Sequence, residues 1–564
     1  MNSIKTLTAN CTDCHRCVRS CPVKAIGIDK GQARLVDDKC ILCGRCVIEC
    51  PQKAKQVQNE LDLIREKINA GVQVALSLAP SFVSSFADYQ PDRLLQALKE
   101  LGFSIIEETA IGAEIVSGHY SYMIENENKP VISACCPVVV NLIERYYPAL
   151  IDNVAQVVSP MIAHGRLLKE RLGNDVYVVF AGPCIAKISE AADEGQTIDA
   201  VITFEQLRQW LEQPGSHEEY HRAETCCQPY GPGRYYPISG GILKSFMNHD
   251  ETDTDIITVD GIDNCMETFA ALLAGSIAPR FIEMLACPGG CIGGPVNGSA
   301  AAKAAKRMHV IKYAQRSCAK RTGFPSGNSS FSRCHEANPI ALPLPSNEQI
   351  RKILQQIGKH SAGDEKNCGA CGYNSCRDKA IAVYQGLAET EMCLPYMRSK
   401  AESFSNIIVT HSLNAIIVID RNMIVQDFNP AAAAMFNGDQ EITKGNSLTR
   451  IIDCSQFLQA AQTGEKITDK RVAYPQYNLV TEQMIVPVPN HDVVIAIITN
   501  VTDEEQRLRE LQQMKLETIQ KATQVIDKQM QVAQEIAGLL GETTAETKSA
   551  LLEVIWLLRG KGGA

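Results

Sequence analysis

Eight of the first fifty residues are cysteines, and their spacing repeats. Cys11, Cys14, Cys17 and Cys21-Pro22 read C-x2-C-x2-C-x3-C-P, and Cys40, Cys43, Cys46 and Cys50-Pro51 read the same. Three thiolates at that spacing wrap one face of an iron–sulfur cubane, while the fourth crosses to the other cluster. The pattern therefore predicts one 4Fe–4S cluster on Cys11, Cys14, Cys17 and Cys50, and a second on Cys40, Cys43, Cys46 and Cys21. Zinc is the competing reading, but zinc knuckles use pairs of cysteines rather than triplets closed by Cys-Pro. The whole chain has 23 cysteines in 564 residues, and its opening MNSIKTLTANCTDC contains no apolar leader core. Clustered cysteines in a long chain read as metal ligands rather than a secreted disulfide framework, so a cytoplasmic metalloprotein is expected.

The rest of the chain reads as a series of modules. Between Val72 and Leu342, β-rich runs (VQVALSLAP, KPVISAC, DVYVVFAGPC, DAVITF) alternate with helix-like segments such as NLIERYYPALI. That alternation predicts an α/β domain with parallel strands. Arg321–Asn347 is rich in Gly, Pro, Ser and Asn and reads as a linker. A short cysteine module follows, then a strand-rich segment from Ser405 to Val501, then a helical tail. The expected fold class is multidomain α/β and α+β, with domains at 1–58, 59–345, 346–400, 401–502 and 503–564. No apolar run reaches the ~18 residues of a membrane helix. A net charge of -9 argues against a nucleic-acid binder. Residues 1–55 nevertheless carry ten Lys/Arg against five Asp/Glu, a surface suited to an acidic ferredoxin-type electron carrier.

Three motifs punctuate the α/β region: SACCP (Ser133–Pro137), AGPCIAKISE (Ala181–Glu190) and LACPGGCIGGP (Leu285–Pro295). Each puts cysteine beside Pro or Gly at an expected strand end, where backbone can approach a bulky inorganic group. In this order they resemble the three signatures of the iron-only hydrogenase catalytic domain, and the resemblance runs from Val72 to Leu342. It implies an H-cluster, a 4Fe–4S cubane joined to a di-iron unit with CO, cyanide and a dithiolate amine. It further implies Cys136, Cys184, Cys287 and Cys291 as the ligands, with Cys291 the bridge. By the same resemblance Cys135 is the proton-relay residue, a role that suits a thiol because its pKa can be tuned towards neutrality. Lys187 donates to one cyanide, Pro80 and Ser81 contact the other, and Ser159 lies on the proton path. The bland alternative for Lys187 is a solvated surface lysine. The chain departs from the family in having Gly182-Pro183-Cys184 for Met-Pro-Cys and Leu285-Ala286-Cys287 for Met-Ala-Cys. The family's acidic pair before the first motif is missing too, with His119 or Glu114 as the available substitutes.

Cys368, Cys371, Cys376 and Cys393 form a C-x2-C-x4-C core with a distant fourth cysteine, predicting a third 4Fe–4S cluster outside the active site. This module resembles one in corrinoid and acetyl-CoA pathway redox proteins, and zinc is again the competitor. Six cysteines remain without a ligand pattern: Cys226, Cys227, Cys265, Cys318, Cys334 and Cys454. Of these, Cys226-Cys227 is the strongest candidate for a role. THSLNAIIVIDRNMIVQDFNPAAAAMFN looks like the start of a PAS domain, with an Asp-Arg-Asn turn and an Asn-Pro helix cap. VVIAIITNVTDEEQ resembles its exit into a signalling helix, with Asn500 in place of the usual aspartate. Nothing marks a haem or flavin ligand for this domain, and His411 reads as structural. From Asp503, Ile519, Ala522, Ile526, Gln529, Ala533, Ile536 and Leu540 follow a 3–4 spacing that predicts a coiled coil and a homodimer.

In this order the modules resemble the sensory iron-only hydrogenases. The leading expectation is a hydrogen sensor that retains reversible H2 oxidation and proton reduction at low turnover. Its output would be read in trans by a kinase or phosphatase, since no histidine follows His491 and no nucleotide-binding glycine box follows. Two alternatives stay open: a metabolic ferredoxin-linked hydrogenase, and a non-catalytic iron–sulfur redox sensor without the di-iron unit.

Overall fold

Each cysteine repeat builds one short helix and shares in a small antiparallel ribbon. In the computed structural model, strand β1 (Ile4–Thr6) pairs antiparallel with β4 (Lys55–Val57), and β2 (Ile26–Asp29) with β3 (Gln32–Leu35). Helices α1 (Arg16–Ser20) and α2 (Arg45–Ile48) start from left-handed residues, His15 and Gly44. The structure describes residues 3–213, 231–247, 255–316, 330–436, 442–488, 491–537, 548–550 and 552–553. Two units result, Met1–Met397 and Arg398–Ala564.

The α/β part of the first unit holds two parallel sheets. One has the order β6–β5–β8–β9, from β5 (Val74–Leu78), β6 (Ile105–Glu108), β8 (Tyr177–Gly182) and β9 (Ala200–Thr203). The other has the order β10–β11–β7, from β7 (Val131–Ile132), β10 (Ile256–Asp260) and β11 (Phe281–Leu285). β5 and β11 are buried along their whole length, as strands covered on both faces must be. Helices α3 (Ala110–Asn126), α4 (Pro137–Tyr146), α5 (Pro160–Leu172) and α6 (Ala186–Asp193) lie between these strands in the chain. The segment expected to be a linker behaves otherwise where it is described. Ser332 bridges to Val157, the Val158 N–H donates to the Phe331 carbonyl, and Phe331 is buried. Residues 330–338 are thus a strap bound to the α/β domain. Its anchors are backbone bonds and the lone apolar side chain of Phe331, which leave no periodic signal in a polar text.

The cysteine module contributes α7 (Cys376–Tyr384), capped by Ser375, whose Oγ accepts the Asp378 N–H. Helix α8 (Leu394–His411) then carries the chain from one unit to the other. The expected boundary at 400/401 falls inside this helix. The second unit is one antiparallel sheet, ordered β13–β12–β16–β15–β14, from β12 (Ala415–Asp420), β13 (Val425–Phe428), β14 (Ile467–Tyr474), β15 (Leu479–Val488) and β16 (Val493–Asn500). Both expected local devices are present. Asp420 Oδ1 accepts the Asn422 and Ile424 N–H groups, making the turn, and Asn429 caps the helix Pro430–Met435. Helix α9 (Thr502–Ala537) follows, and no described residue along it is fully buried. His411 is exposed at the end of α8. No helix among the described residues is long and apolar enough to cross a membrane.

Candidate functional site

Parallel sheets present their loops at the carboxyl ends of the strands, and in open α/β folds ligands bind there. β5 leads into Ala79-Pro80-Ser81, β7 into Ser133–Cys136, β8 into Pro183-Cys184, and β11 into Ala286-Cys287. The structure brings these loops around one pocket. Pro80, Ser81, Cys135, Cys184, Lys187 and Cys291 line it, beside apolar Met161, Phe180 and Leu285. Three helices start at the site: Cys136 precedes α4, Ser159 precedes α5, and α6 begins two residues after Cys184. Helix N-termini carry partial positive charge, so this end of the domain favours an anionic group. The CPGGC turn fits closely among its neighbours. Gly290 has φ +92°, and a Cβ there would stand 2.5 Å from the Pro237 carbonyl oxygen.

Lys187 is buried and tied down on three sides. Its Nζ donates to Glu190 Oε2 at 2.6 Å, to Ser159 Oγ at 2.9 Å and to the Cys135 carbonyl at 3.4 Å. Burial opposes its charge, but the Glu190 carboxylate outweighs burial and holds the ammonium above its ordinary pKa. The solvated-lysine alternative is therefore excluded. Arg333 of the strap faces the other oxygen of Glu190 at 3.7 Å. Glu190 stands three residues after Lys187 on α6, a spacing that the sequence carries and that identifies the pair.

Burial, helped by the neighbouring Cys136 and Cys291, holds the Cys135 thiol well above its ordinary pKa in the iron-free chain. Burial likewise pushes Cys184 up to about 11 and Cys291 to about 12. Thiols of this kind bind metal only on losing their protons. Ser81 Oγ is buried at the pocket wall without a hydrogen-bond partner. A buried hydroxyl left unsatisfied costs about 1–3 kcal/mol, so this one is suited to bond a group held in the pocket. Four converging cysteines, an unsatisfied hydroxyl and a charged lysine fit the donor set an H-cluster needs.

Of the two substitutes for the acidic pair, His119 is half-buried against Phe331, ring centroids 6.1 Å apart, and burial lowers its pKa. Glu114 is buried beside Gly231. The Gly182 departure has a packing reason: a Cβ at Gly182 would sit 2.6 Å from the ring of Phe180. The phenyl ring fills the space a side chain at 182 would take, and it lines the pocket. Residues that no motif marked surround the site as well. Glu283 is fully buried and accepts the Gly240 and Leu243 N–H groups at 2.8 and 3.1 Å. Tyr236 joins its hydroxyl to Ser117 Oγ at 2.8 Å. Cys265 is buried too, and Cys226, Cys227 and Cys318 lie outside the described residues.

The cysteine repeat abuts this domain. A Cβ at Gly44, next to Cys43, would fall 2.6 Å from Pro295 and 3.0 Å from Ile185, residues of the third and second motifs. Arg45 pairs with Asp263 at 2.7 Å across the same junction. Within the repeat, Cys21 lies among Cys40, Cys43 and Cys46, where its charge adds to burial in raising all three thiols. Cys11 and Cys14 act likewise on Cys17. In the small module, Cys368, Cys371, Cys376 and Cys393 line one cavity. Among the described residues, no three Cys, His, Asp or Glu side chains meet as they would around a single ion.

Parallel α/β sheets that gather cysteines at their strand ends, joined to a two-repeat cysteine domain, define a multi-site iron–sulfur protein. Comparison with known families makes this specific. The C-terminal domain of the iron only hydrogenase large subunit matches residues 72–295, a 4Fe-4S dicluster domain residues 3–67, and a putative Fe-S cluster family residues 364–395. The chain is an iron-only hydrogenase-like protein. It is 26% identical over 299 residues to iron hydrogenase 1 of Clostridium pasteurianum, covering 42% of this chain and 52% of that protein. It thus spans about half the length of that relative. It is also 26% identical to the periplasmic Fe hydrogenase large subunit of Nitratidesulfovibrio vulgaris, over 51% of this chain and 84% of the relative. A shorter match, 31% identical over 24% of this chain and 29% of the relative, is the cytosolic Fe-S cluster assembly factor NAR1 of Yarrowia lipolytica.

Proposed function

We propose that the chain is a hydrogen sensor with reversible hydrogenase chemistry of low turnover. Its active site would be an H-cluster held by Cys136, Cys184, Cys287 and Cys291, with Cys291 as the bridge. The observation that carries this is the pocket itself, where Pro80, Ser81, Cys135, Lys187 and Cys291 converge and Ser81 Oγ lacks a partner. When bound, the di-iron unit supplies the interconversion of H2 with two protons and two electrons. The protein would hold and orient it: Ser81 would donate to one diatomic ligand, Lys187 to the other by giving up its 3.4 Å bond to the Cys135 carbonyl, and apolar Met161, Phe180 and Leu285 would keep water out. Cys135 Sγ holds the proton in transit, and Ser159, bonded to Lys187, belongs to the polar path leading from it. Electrons pass by the clusters of the cysteine repeat to an acidic ferredoxin-type carrier.

The second unit is read as a PAS domain. Its five-stranded antiparallel order, the Asn429 cap and the exit from β16 into α9 support that reading. The Asn500 carboxamide accepts the Thr502 N–H and so starts α9 as an aspartate would. Output through α9, a homodimer formed along it, and a kinase or phosphatase reading it in trans complete the proposal.

Infrared spectroscopy of the chain matured with its di-iron cofactor tests the central claim. Carbonyl and cyanide bands that shift under H2 are expected, and protein that carries iron yet shows no such bands would overturn it. The similarity to an Fe-S assembly factor favours a second reading, a non-catalytic iron–sulfur protein, which that same spectrum would then leave standing.

A further inference from the structure

The small cysteine module buries a lysine among its thiols. Lys379 is 1% exposed, and its Nζ donates to the Thr390 carbonyl at 2.8 Å. In the iron-free chain burial lowers its pKa, and the groups facing it that oppose this are Cys393, Cys371, Glu391 and Cys376. Lys359, also buried, lines the same cavity and donates to the Asp364 carbonyl at 2.6 Å. A buried ammonium is expensive unless it faces compensating charge. Four thiolates around a cubane supply that charge, about -2 for an oxidised 4Fe–4S site, and one more negative unit appears when the site is reduced. A fixed cation beside the site therefore favours the reduced state.

The module is also seated on the cysteine repeat. Gly372, with φ +94°, rests on α1: a Cβ there would meet Val18 Cγ1 at 2.9 Å and the Arg19 N at 3.2 Å. The Arg19 guanidinium donates to the Ala370 carbonyl at 3.4 Å and to the Cys14 carbonyl at 3.0 Å, joining module and repeat. The Ile28 N–H donates to the Leu387 carbonyl at 3.0 Å. Lys24, whose Nζ donates to the Val18 and Arg19 carbonyls, faces both Cys21 and Cys371. α1 itself contains Cys17, of one predicted cluster, and ends at its C-cap Cys21, of the other.

We infer that Lys379 is the built-in countercharge that sets the reduction potential of the module's cluster, and that Gly372, Arg19 and Lys24 hold this cluster as an electron-sharing neighbour of the Cys21 site. The inference rests on the iron–sulfur reading of the cysteines and not on the di-iron unit. Three cluster sites, rather than two in line, would then adjoin one another around α1. The module's site would take its electron from the repeat, and Cys393 lies immediately before α8.

The test is a redox titration of the full chain, reconstituted with iron and sulfide but not the di-iron unit, reduced by dithionite and followed by electron paramagnetic resonance. Each cluster takes up one electron. Lys379→Met is expected to keep its iron and to lower the reduced-to-oxidised ratio of the module's cluster about tenfold at the wild-type midpoint, equivalent to ~59 mV for one electron. Lys379→Arg should restore the ratio. Lys24→Gln should lower it at both the module and the Cys21 site. Removing the module's cluster by Cys371→Ser should narrow a spin-coupled signal of the repeat. Unchanged midpoints in Lys379→Met and Lys24→Gln, with iron retained, would overturn the inference, and so would iron loss from both Lys379→Met and Lys379→Arg. No H2 is involved, so failure of the hydrogen reading in the infrared experiment would leave this result standing.

Discussion

Glu283 shows how one unmarked residue can set the pH dependence of stability. Its carboxyl is fully buried, and burial pushes its pKa from 4.5 up to about 7 despite the backbone N–H groups it accepts. Between these values the unfolded chain gives up the proton and the folded chain keeps it. Folding then binds more protons, and stability falls as pH rises. The contribution is complete below about pH 4.5 and is lost by about pH 7, on the order of 3 kcal/mol over the window. Glu283→Gln should therefore flatten the fall in Tm of the iron-free chain across that range. An undiminished slope in the variant would assign the dependence to other groups. Cys135 yields a second prediction. Its Sγ stands at the pocket wall but is not among the four proposed ligands, so Cys135→Ala should keep the iron content and slow hydrogen turnover by ~10²–10⁴. Hydrogen-uptake assays on iron-replete protein would check this, and full activity would move the relay to another group, with His119 as the alternative.

Helix starts and strand ends were the part of this chain most open to reading from sequence, because ligand chemistry and caps are local. The C-x2-C-x2-C-x3-C-P repeats, the three cysteine motifs, the Asp420 turn and the Asn429 cap all advertise themselves within ten residues. What stayed hidden depends on contacts made across the fold. Residues 330–338 read as linker because Phe331 and Arg333 are isolated side chains in a polar segment and the other anchors are backbone bonds. Phe180 and Gly182 exchange volume inside one strand, which only their shared side of β8 reveals. Glu283 and Tyr236 carry no periodicity at all, whereas Glu190 could have been paired with Lys187 from its spacing. Asn429 offers the sharpest test of a local device. It is 1% exposed; its Oδ1 accepts the Ile416 and Ala432 N–H groups, and its Nδ2 donates to the Val409 and Asn414 carbonyls. One carboxamide thus joins the end of α8, the start of β12 and the cap of the next helix. Asn429→Ala should destabilise the second unit by about 2 kcal/mol, since the cap and the part-buried bonds to Ile416, Val409 and Asn414 are lost together. Urea unfolding followed in that unit would measure the loss, and an unchanged midpoint would make the cap dispensable.

Iron–sulfur sites at one end of a chain and an exposed 36-residue helix towards the other need a reason to be covalently joined. Along α9 the seam residues Ile519, Ala522 and Ile526 are only partly covered, and Gln529 and Ile536 are exposed. An apolar stripe interrupted by one glutamine suits a coiled coil whose alternative registers lie close in energy. In the proposed sensor, a charge change at the cluster sites biases the second unit, and α9 presents the result to a kinase or phosphatase. Coupling of this kind is reciprocal: if hydrogen changes the affinity of that partner, the partner shifts the hydrogen-poised redox equilibrium by the same free energy. The distribution of function along the chain follows from this. Removing residues after Val501 should leave the infrared bands and the hydrogen turnover of the matured protein intact, because every residue proposed for that chemistry precedes Met397. The same truncation should abolish the effect of hydrogen on the partner. Paired measurements of hydrogen uptake and partner binding on the full and truncated chains decide the matter. If the truncation abolishes turnover, α9 is required for the hydrogenase fold itself, and the metabolic-enzyme reading replaces the sensor.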